Sequence, residues 1–208
     1  AVCHGLPILA SLFEQNRGRP PGFVYDVISH GNMRRMGSKL DDASKSDAIL
    51  ATNTSSLDVL DIARATTRPG DVVGLHFFNP APVMRLLEIV RTEATTADVV
   101  VTALALAQRV RKTGVVVGDG FGFVANRMIF EYQRQSEFLV EEGATPQEVD
   151  RVLKAFGMPM GPFEMFDMAG LDVGWRIRRD RAGLRPADRR YSVLNDLVCE
   201  AGWYGQKT

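Results

Sequence analysis

Short apolar runs alternate with helix-spaced segments through the first 120 residues, and the alternation stops after Gly122. "FVYDVI" (23–28), "AILATN" (48–53), "VVGLHFF" (72–78), "LLEIV" (86–90) and "TGVVVGD" (113–119) are strand-length runs bounded by turn residues. Between them, "NMRRMGSKLDDAS" (32–44) spaces Met33, Met36 and Leu40 as a helix does. Ser55-Ser56-Leu57-Asp58 fits an S-x-x-D capping signal, opening a helix to about Ala65, and "RPGD" (68–71) is a turn. Thr95 and Asp98 are expected to cap a helix whose apolar face is Val99, Ala103, Leu106 and Val110. Strands alternating with helices predict an α/β unit with a mostly parallel, doubly wound sheet.

The remainder reads as all-helical. "FVANRMIFEYQRQSEFLVEEG" (123–143) is one long helix ending at Gly143. "TPQEVDRVLKAFG" (145–157) carries its own instructions: Thr145 as cap, Pro146 in the first turn, Glu148 completing a capping box and Gly157 as stop. Val149, Val152, Leu153 and Phe156 form its stripe. "GPFEMFDMAGLDVGWRIRRDRAG" and "SVLNDLVCEAG" predict two more helices. The fold class is therefore α/β then all-α, divided at 120/121.

With 45% hydrophobic residues in 208, the chain can bury a sizeable core. Lys+Arg and Asp+Glu both count 25, so no global basic field invites nucleic acid or an anionic membrane. The apolar runs fall well short of the roughly 20 residues a membrane span needs. Cys3 and Cys199 have no C-x-x-C spacing, which predicts no metal site and suits a reducing compartment. The chain opens inside an apolar stretch without an initiator Met, and "NRGRPPG" (16–22) then breaks the pattern, so a truncated beginning is expected.

Chemistry concentrates in "GLHFFNPAPVMRLLEIV" (74–90). A core strand gains nothing from the imidazole of His76, whereas a general base would sit there well. Asn79-Pro80 ends the strand, placing His76 near its carboxyl end, the edge where open α/β sheets bind ligands. Glu88 lies in the next apolar run, where an unpaired carboxylate is costly. If the strand ends meet, a Glu88–His76 pair resolves both costs and fixes the imidazole tautomer. By themselves Ser55 reads as an N-cap, Asn79 as a turn residue, and Arg85 and Arg91 as solvated. Asn126 lies in the first turn of the long helix, after "DGFGF", whose Gly120 and Gly122 let the backbone approach something closely. No G-x-G-x-x-G follows a strand; "GNMRRMG" (31–37) has the wrong spacing.

Taken in order, "AILATNTSSLDVLDIA", "GLHFFNPAPVMRLLEIV", "VVVGDGFGFVANRMIFEYQRQSEFLVEEGATPQEVD", "GMPMGPFEMFDMAGLDVGW" and "AGWYGQKT" resemble the 3-hydroxyacyl-CoA dehydrogenase family, from about Asp47 to Thr208. The wording of "PVMRLLEIVR" and "AGLDVGWRIRR" is most similar to the dehydrogenase part of multifunctional β-oxidation enzymes. The resemblance implies a Rossmann-like domain at 1–120, partial here, and a helical substrate and dimerisation domain at 121–208. It implies NAD as cofactor, an acyl-CoA substrate, and either a homodimer or a covalent fusion to an enoyl-CoA hydratase. It implies His76 as base, Glu88 as its partner, and Ser55 and Asn126 as hydrogen-bonding groups for the substrate oxygen. Asn79, Ser55 and Lys207 would face the cofactor. Cytoplasmic or peroxisomal-type residence follows from the same likeness. Residues 1–30 do not share it: the acidic residue expected at the second strand end would fall near Ile28–His30, where no acid stands. A rival reading is therefore an inactive fragment serving as a binding or oligomerisation module.

Overall fold

The computed structural model describes residues 23–26, 41, 44–55 and 57–206. The chain divides into two compact units between Arg127 and Met128. The first contains one five-stranded sheet among the described residues, in the order β1 (Phe23–Asp26), β2 (Ile49–Thr52), β3 (Val72–Phe77), β4 (Leu86–Arg91) and β5 (Thr113–Gly118). Most of the helix predicted over 32–44 lies outside the described residues.

The sheet is mixed. β1, β2 and β3 run parallel, whereas β4 is antiparallel to β3 and parallel to β5. Connection length accounts for the reversal. Only Phe78–Arg85 separate β3 from β4, and a parallel crossover needs a dozen residues or more. The longer link from β4 to β5 carries helix α2 (Ala97–Arg109) and restores parallel pairing. Helix α1 (Val59–Ala63) precedes β3.

Strand alternation sorts the core onto two faces. Val73, Leu75, Leu87 and Ile89 pack with Ile49 and Ala51 against Val99, Ala103 and Ala107 of α2. On the other face Leu50, Val72, Val90 and Val117 pack with Val59, Ala63 and Phe123. His76 and Glu88 share strand parity with Val72 and Val90, so they belong to this second face. Gly74 lies on it as well: a Cβ there would come within 2.7 Å of the Val90 Cβ. Gly74→Ala is expected to lose about 1–3 kcal/mol by overpacking. Urea denaturation checks this, and an unchanged midpoint would show that the strands can part to admit a methyl.

Two caps differ from the sequence reading. Helix α1 begins at Val59, not Ser55, and Asp58 caps it by accepting the Asp61 N–H at 2.9 Å. The Thr54 hydroxyl takes the Leu57 N–H at 2.8 Å, turning the chain before the helix starts. Helix α2 has Thr96 at its cap without a side-chain bond. Thr95 is drawn instead into the sheet, where it donates to the Val72 carbonyl at 2.9 Å. Of the expected α2 stripe, Val99 and Ala103 are buried and are joined by Ala107, while Leu106 is partly buried.

The second unit is helical. Helix α3 (Ala125–Glu141) starts in the first unit and runs into it. Helix α4 (Pro146–Phe156) carries the predicted capping box, with Glu148 accepting the Thr145 N–H at 2.8 Å and Thr145 the Glu148 N–H at 3.3 Å. Its stripe is only partly buried: Val149 is 5% exposed, but Val152 is 58% and Phe156 84% exposed. The segment read as one helix over 161–183 is two, α5 (Pro162–Ala169) and α6 (Leu171–Asp180), broken at Gly170, whose φ is +88°. Helix α7 (Leu194–Glu200) follows. Asp150, buried on α4, accepts the Phe163 and Glu164 N–H groups at 2.9 and 3.0 Å and so caps α5. No helix among the described residues is long and apolar enough to cross a membrane.

Candidate active site

The antiparallel return of β4 sets Glu88 directly opposite His76 in register. Directly opposed residues on antiparallel strands place their side chains on one face, with Cα atoms about 4.5–5.5 Å apart. The pair closes accordingly: His76 Nδ1 lies 2.7 Å from Glu88 Oε2. Both residues are buried, 6% and 1% exposed.

The other Glu88 oxygen is also occupied. Oε1 accepts the N–H groups of Val124 at 3.1 Å and Ala125 at 2.9 Å. Those are the leading amides of α3, which would otherwise lack intrahelical partners. A buried carboxylate is thus met by three donors, at the positive end of a helix dipole. Both amides are obligate donors, so Oε1 can only accept. An ionised carboxylate can only accept, so opposite ionised Glu88 the Nδ1 atom carries the proton and donates to Oε2. The Nε2 lone pair is then left to take a proton, and no described residue hydrogen-bonds Nε2.

The segment that delivers these amides has unusual backbone. Gly122 and Phe123 both have positive φ, +74° and +49°. Glycine meets this freely; a bulky aromatic residue seldom does. The amides that approach Glu88 follow the glycine pair in the chain, whereas a Cβ added at Gly120 would meet only the Arg127 guanidinium at 3.7 Å. Phe123 is buried, and its ring centroid lies 5.6 Å from that of His76. The Phe78 ring lies 4.4 Å from the same imidazole. At the start of the segment, Asp119 accepts the Leu60 N–H at 2.8 Å, tying the turn to α1. Burial pushes the Asp119 carboxyl above its ordinary range, the Leu60 and Val59 amides oppose that shift, and the Asp58 carboxyl adds to it.

Asn126 and Ser55 also meet. The Asn126 side-chain amide donates to the Ser55 carbonyl at 3.3 Å. Ser55 is not the helix cap its position suggested; it is exposed in the loop after β2. Asn79 is exposed just past the carboxyl end of β3. Exposed polar residues beyond the carboxyl ends of parallel strands fit a nucleotide cofactor. Arg85 and Arg91 are exposed. Lys207 lies outside the described residues.

Sequence reasoning passed over Asn53, whose side-chain oxygen takes the Phe77 N–H at 2.9 Å and ties the ends of β2 and β3 together. It also passed over the Val124 and Ala125 amides and the two phenylalanine rings. Only the Gly pair of "DGFGF" hinted at any of these.

Comparison with known proteins bears on this arrangement. Residues 33–120 match the family described as 3-hydroxyacyl-CoA dehydrogenase, NAD binding domain, and residues 122–208 match its C-terminal domain. The peroxisomal bifunctional enzyme of Homo sapiens is 45% identical over 186 residues, covering 84% of this chain and 26% of that protein. This chain thus spans about a quarter of the length of the curated relatives it matches. The crystal structure of FadB2 from M. tuberculosis aligns with a TM-score of 0.82 and 33% identity, over 90% of this chain and 68% of that one. The (S)-3-hydroxybutyryl-CoA dehydrogenase of Ralstonia eutropha aligns with a TM-score of 0.82 and 28% identity, over 89% of this chain and 67% of that one. The family match begins at Met33, upstream of the motifs quoted above. The chain belongs to the 3-hydroxyacyl-CoA dehydrogenase family, an oxidoreductase lineage, and carries that family's NAD binding domain.

Proposed function

We propose that the chain oxidises (S)-3-hydroxyacyl-CoA to 3-oxoacyl-CoA in fatty-acid β-oxidation, with His76 as general base. The supporting observation is the 2.7 Å contact between His76 Nδ1 and Glu88, which leaves Nε2 to accept a proton. Bound NAD supplies the hydride acceptor. Ser55 and Asn126 hydrogen-bond the 3-hydroxyl and then the ketone oxygen that replaces it. As hydride leaves C3, His76 Nε2 takes the hydroxyl proton, and Glu88 stabilises the imidazolium so formed. General-base assistance of this kind contributes about 10²–10⁴-fold. Asn79 and Ser55, past the ends of β3 and β2, would face the cofactor, and Lys207, outside the described residues, is proposed as a further cofactor residue. In this reading residues 1–120 form the cofactor-binding part, and 121–208 the substrate and dimerisation part.

The test is NADH absorbance on mixing the purified chain with NAD and (S)-3-hydroxyacyl-CoA thioesters of graded length. Turnover supports the proposal, and the length profile distinguishes a short-chain 3-hydroxybutyryl-CoA enzyme from a broader one. No NADH formation, together with no saturable NAD binding at millimolar cofactor, would favour the rival reading of a binding or oligomerisation module. The exposed Val152 and Phe156 on α4 are the observation on that side. For assembly we propose either a homodimer or a covalent fusion to an enoyl-CoA hydratase, which the mass of the native protein separates. Residence is proposed to be cytoplasmic or peroxisomal-type.

A further inference from the structure

Phe123 has an energetically unfavourable backbone, a buried ring and no part in the chemistry proposed above. We infer that it is a positioning residue, holding the His76–Glu88 pair in its working geometry; this rests on the proposed role of His76. Two connections carry the inference. The first runs through the backbone. Phe123 donates its N–H to the Gly120 carbonyl at 2.7 Å, closing a turn with φ of +49° at Phe123 itself. The next two amides are those that grip Glu88 Oε1, at 3.1 and 2.9 Å. The direction of those amides is therefore set by the Phe123 dihedrals. The second connection is the ring. It is 3% exposed, packed in the cluster of Leu50, Val59 and Val90, and stands 5.6 Å from the imidazole at an interplanar angle of 59°. One residue thus meets the pair twice: its backbone aims the amides that hold the carboxylate, and its ring packs beside the imidazole, which the Phe78 ring flanks at 4.4 Å. Left-handed backbone at a bulky residue persists where surrounding structure imposes it, and such sites cluster where geometry serves function.

Removing the ring frees the imidazole to rotate and lets water reach Oε2, so the single Nδ1–H tautomer gives way to a mixture. Misplacement of a reacting group by about 1 Å costs on the order of 10²-fold in rate. Phe123→Ala is therefore expected to lower kcat by about 10- to 100-fold while the KM values for NAD and thioester stay within about twofold. Phe123→Leu, which restores apolar bulk, is expected to recover most of that rate. The second readout needs no turnover: ¹⁵N NMR of the imidazoles, with the His76 signals identified by their absence in His76→Gln. The unsubstituted chain should show one tautomer at His76 and Phe123→Ala two. If Phe123→Ala does not fold, Phe123→Gly, which adopts left-handed backbone freely, is read in the same way. A folded variant lacking the ring but keeping the single tautomer overturns the inference. Lack of turnover by the unsubstituted chain would count against the proposed function, while the tautomer spectra would still decide the role of Phe123.

Discussion

His76→Gln is expected to reduce turnover by about 10²–10⁴-fold, the span that general-base assistance contributes. Stability should change little. The glutamine amide can donate to Glu88 Oε2 much as Nδ1 does now at 2.7 Å, so the buried carboxylate keeps a donor on each oxygen. What disappears is an atom able to take a proton: an amide nitrogen is no base. The measurement is kcat from NADH absorbance beside the thermal melting temperature of the same preparation. Near-normal kcat in the variant would remove His76 from the mechanism. A steep fall in melting temperature would instead mean that the imidazole serves chiefly as packing.

Glu88→Gln should be almost as damaging to the rate, by a different route. A glutamine has one acceptor oxygen and one NH₂ group. The Val124 and Ala125 amides can only donate, so they claim the oxygen. The NH₂ group then faces His76 Nδ1, which must accept, and the ring proton moves to Nε2. The base is left with its proton on the wrong nitrogen. The corresponding change in a serine-protease triad lowers kcat by about 10⁴-fold, and a loss of about 10²–10⁴-fold is expected here. Stability should fall by only about 1–3 kcal/mol, since a charge-assisted set of bonds becomes a neutral one. Glu88→Ala should do worse, leaving three buried donors unmet. Rate and pH profile together test this: a Glu88→Gln protein with both unchanged would reduce the carboxylate to a helix cap.

Legibility followed the range of the interactions. The Thr145–Gly157 helix could be read almost residue by residue, because its cap, first-turn proline and stop all act within a few positions of themselves. The strands were legible for the same reason. So was the His76–Glu88 contact, because two costly polar groups in neighbouring apolar runs have few other ways to be satisfied. What escaped depends on partners far along the chain. The break at Gly170 is one case: an Ala-Gly-Leu inside an apolar period looks like a tolerated interior glycine. It becomes a boundary because the Leu171 N–H bonds the Tyr204 carbonyl at 3.1 Å, a residue more than thirty positions on. Ser55 looked like a cap until the Thr54 hydroxyl claimed the turn before it. Phe123 is the hardest case, since nothing in the identity of a phenylalanine announces left-handed backbone. Val152 and Phe156 show the converse limit: periodicity marks an apolar face but not what lies against it.

A carboxylate group is flat and turns as a single plate. One edge of the Glu88 plate is held by the opening amides of a seventeen-residue helix and the other by an imidazole. Any swivel at the start of that helix must rotate the plate, and the rotated plate must tilt the ring or let it go. If His76 is the base, as proposed, the heading of α3 where it leaves Glu88 and the readiness of that base become a single mechanical variable, and a force that bends the helix at its origin would slow proton transfer.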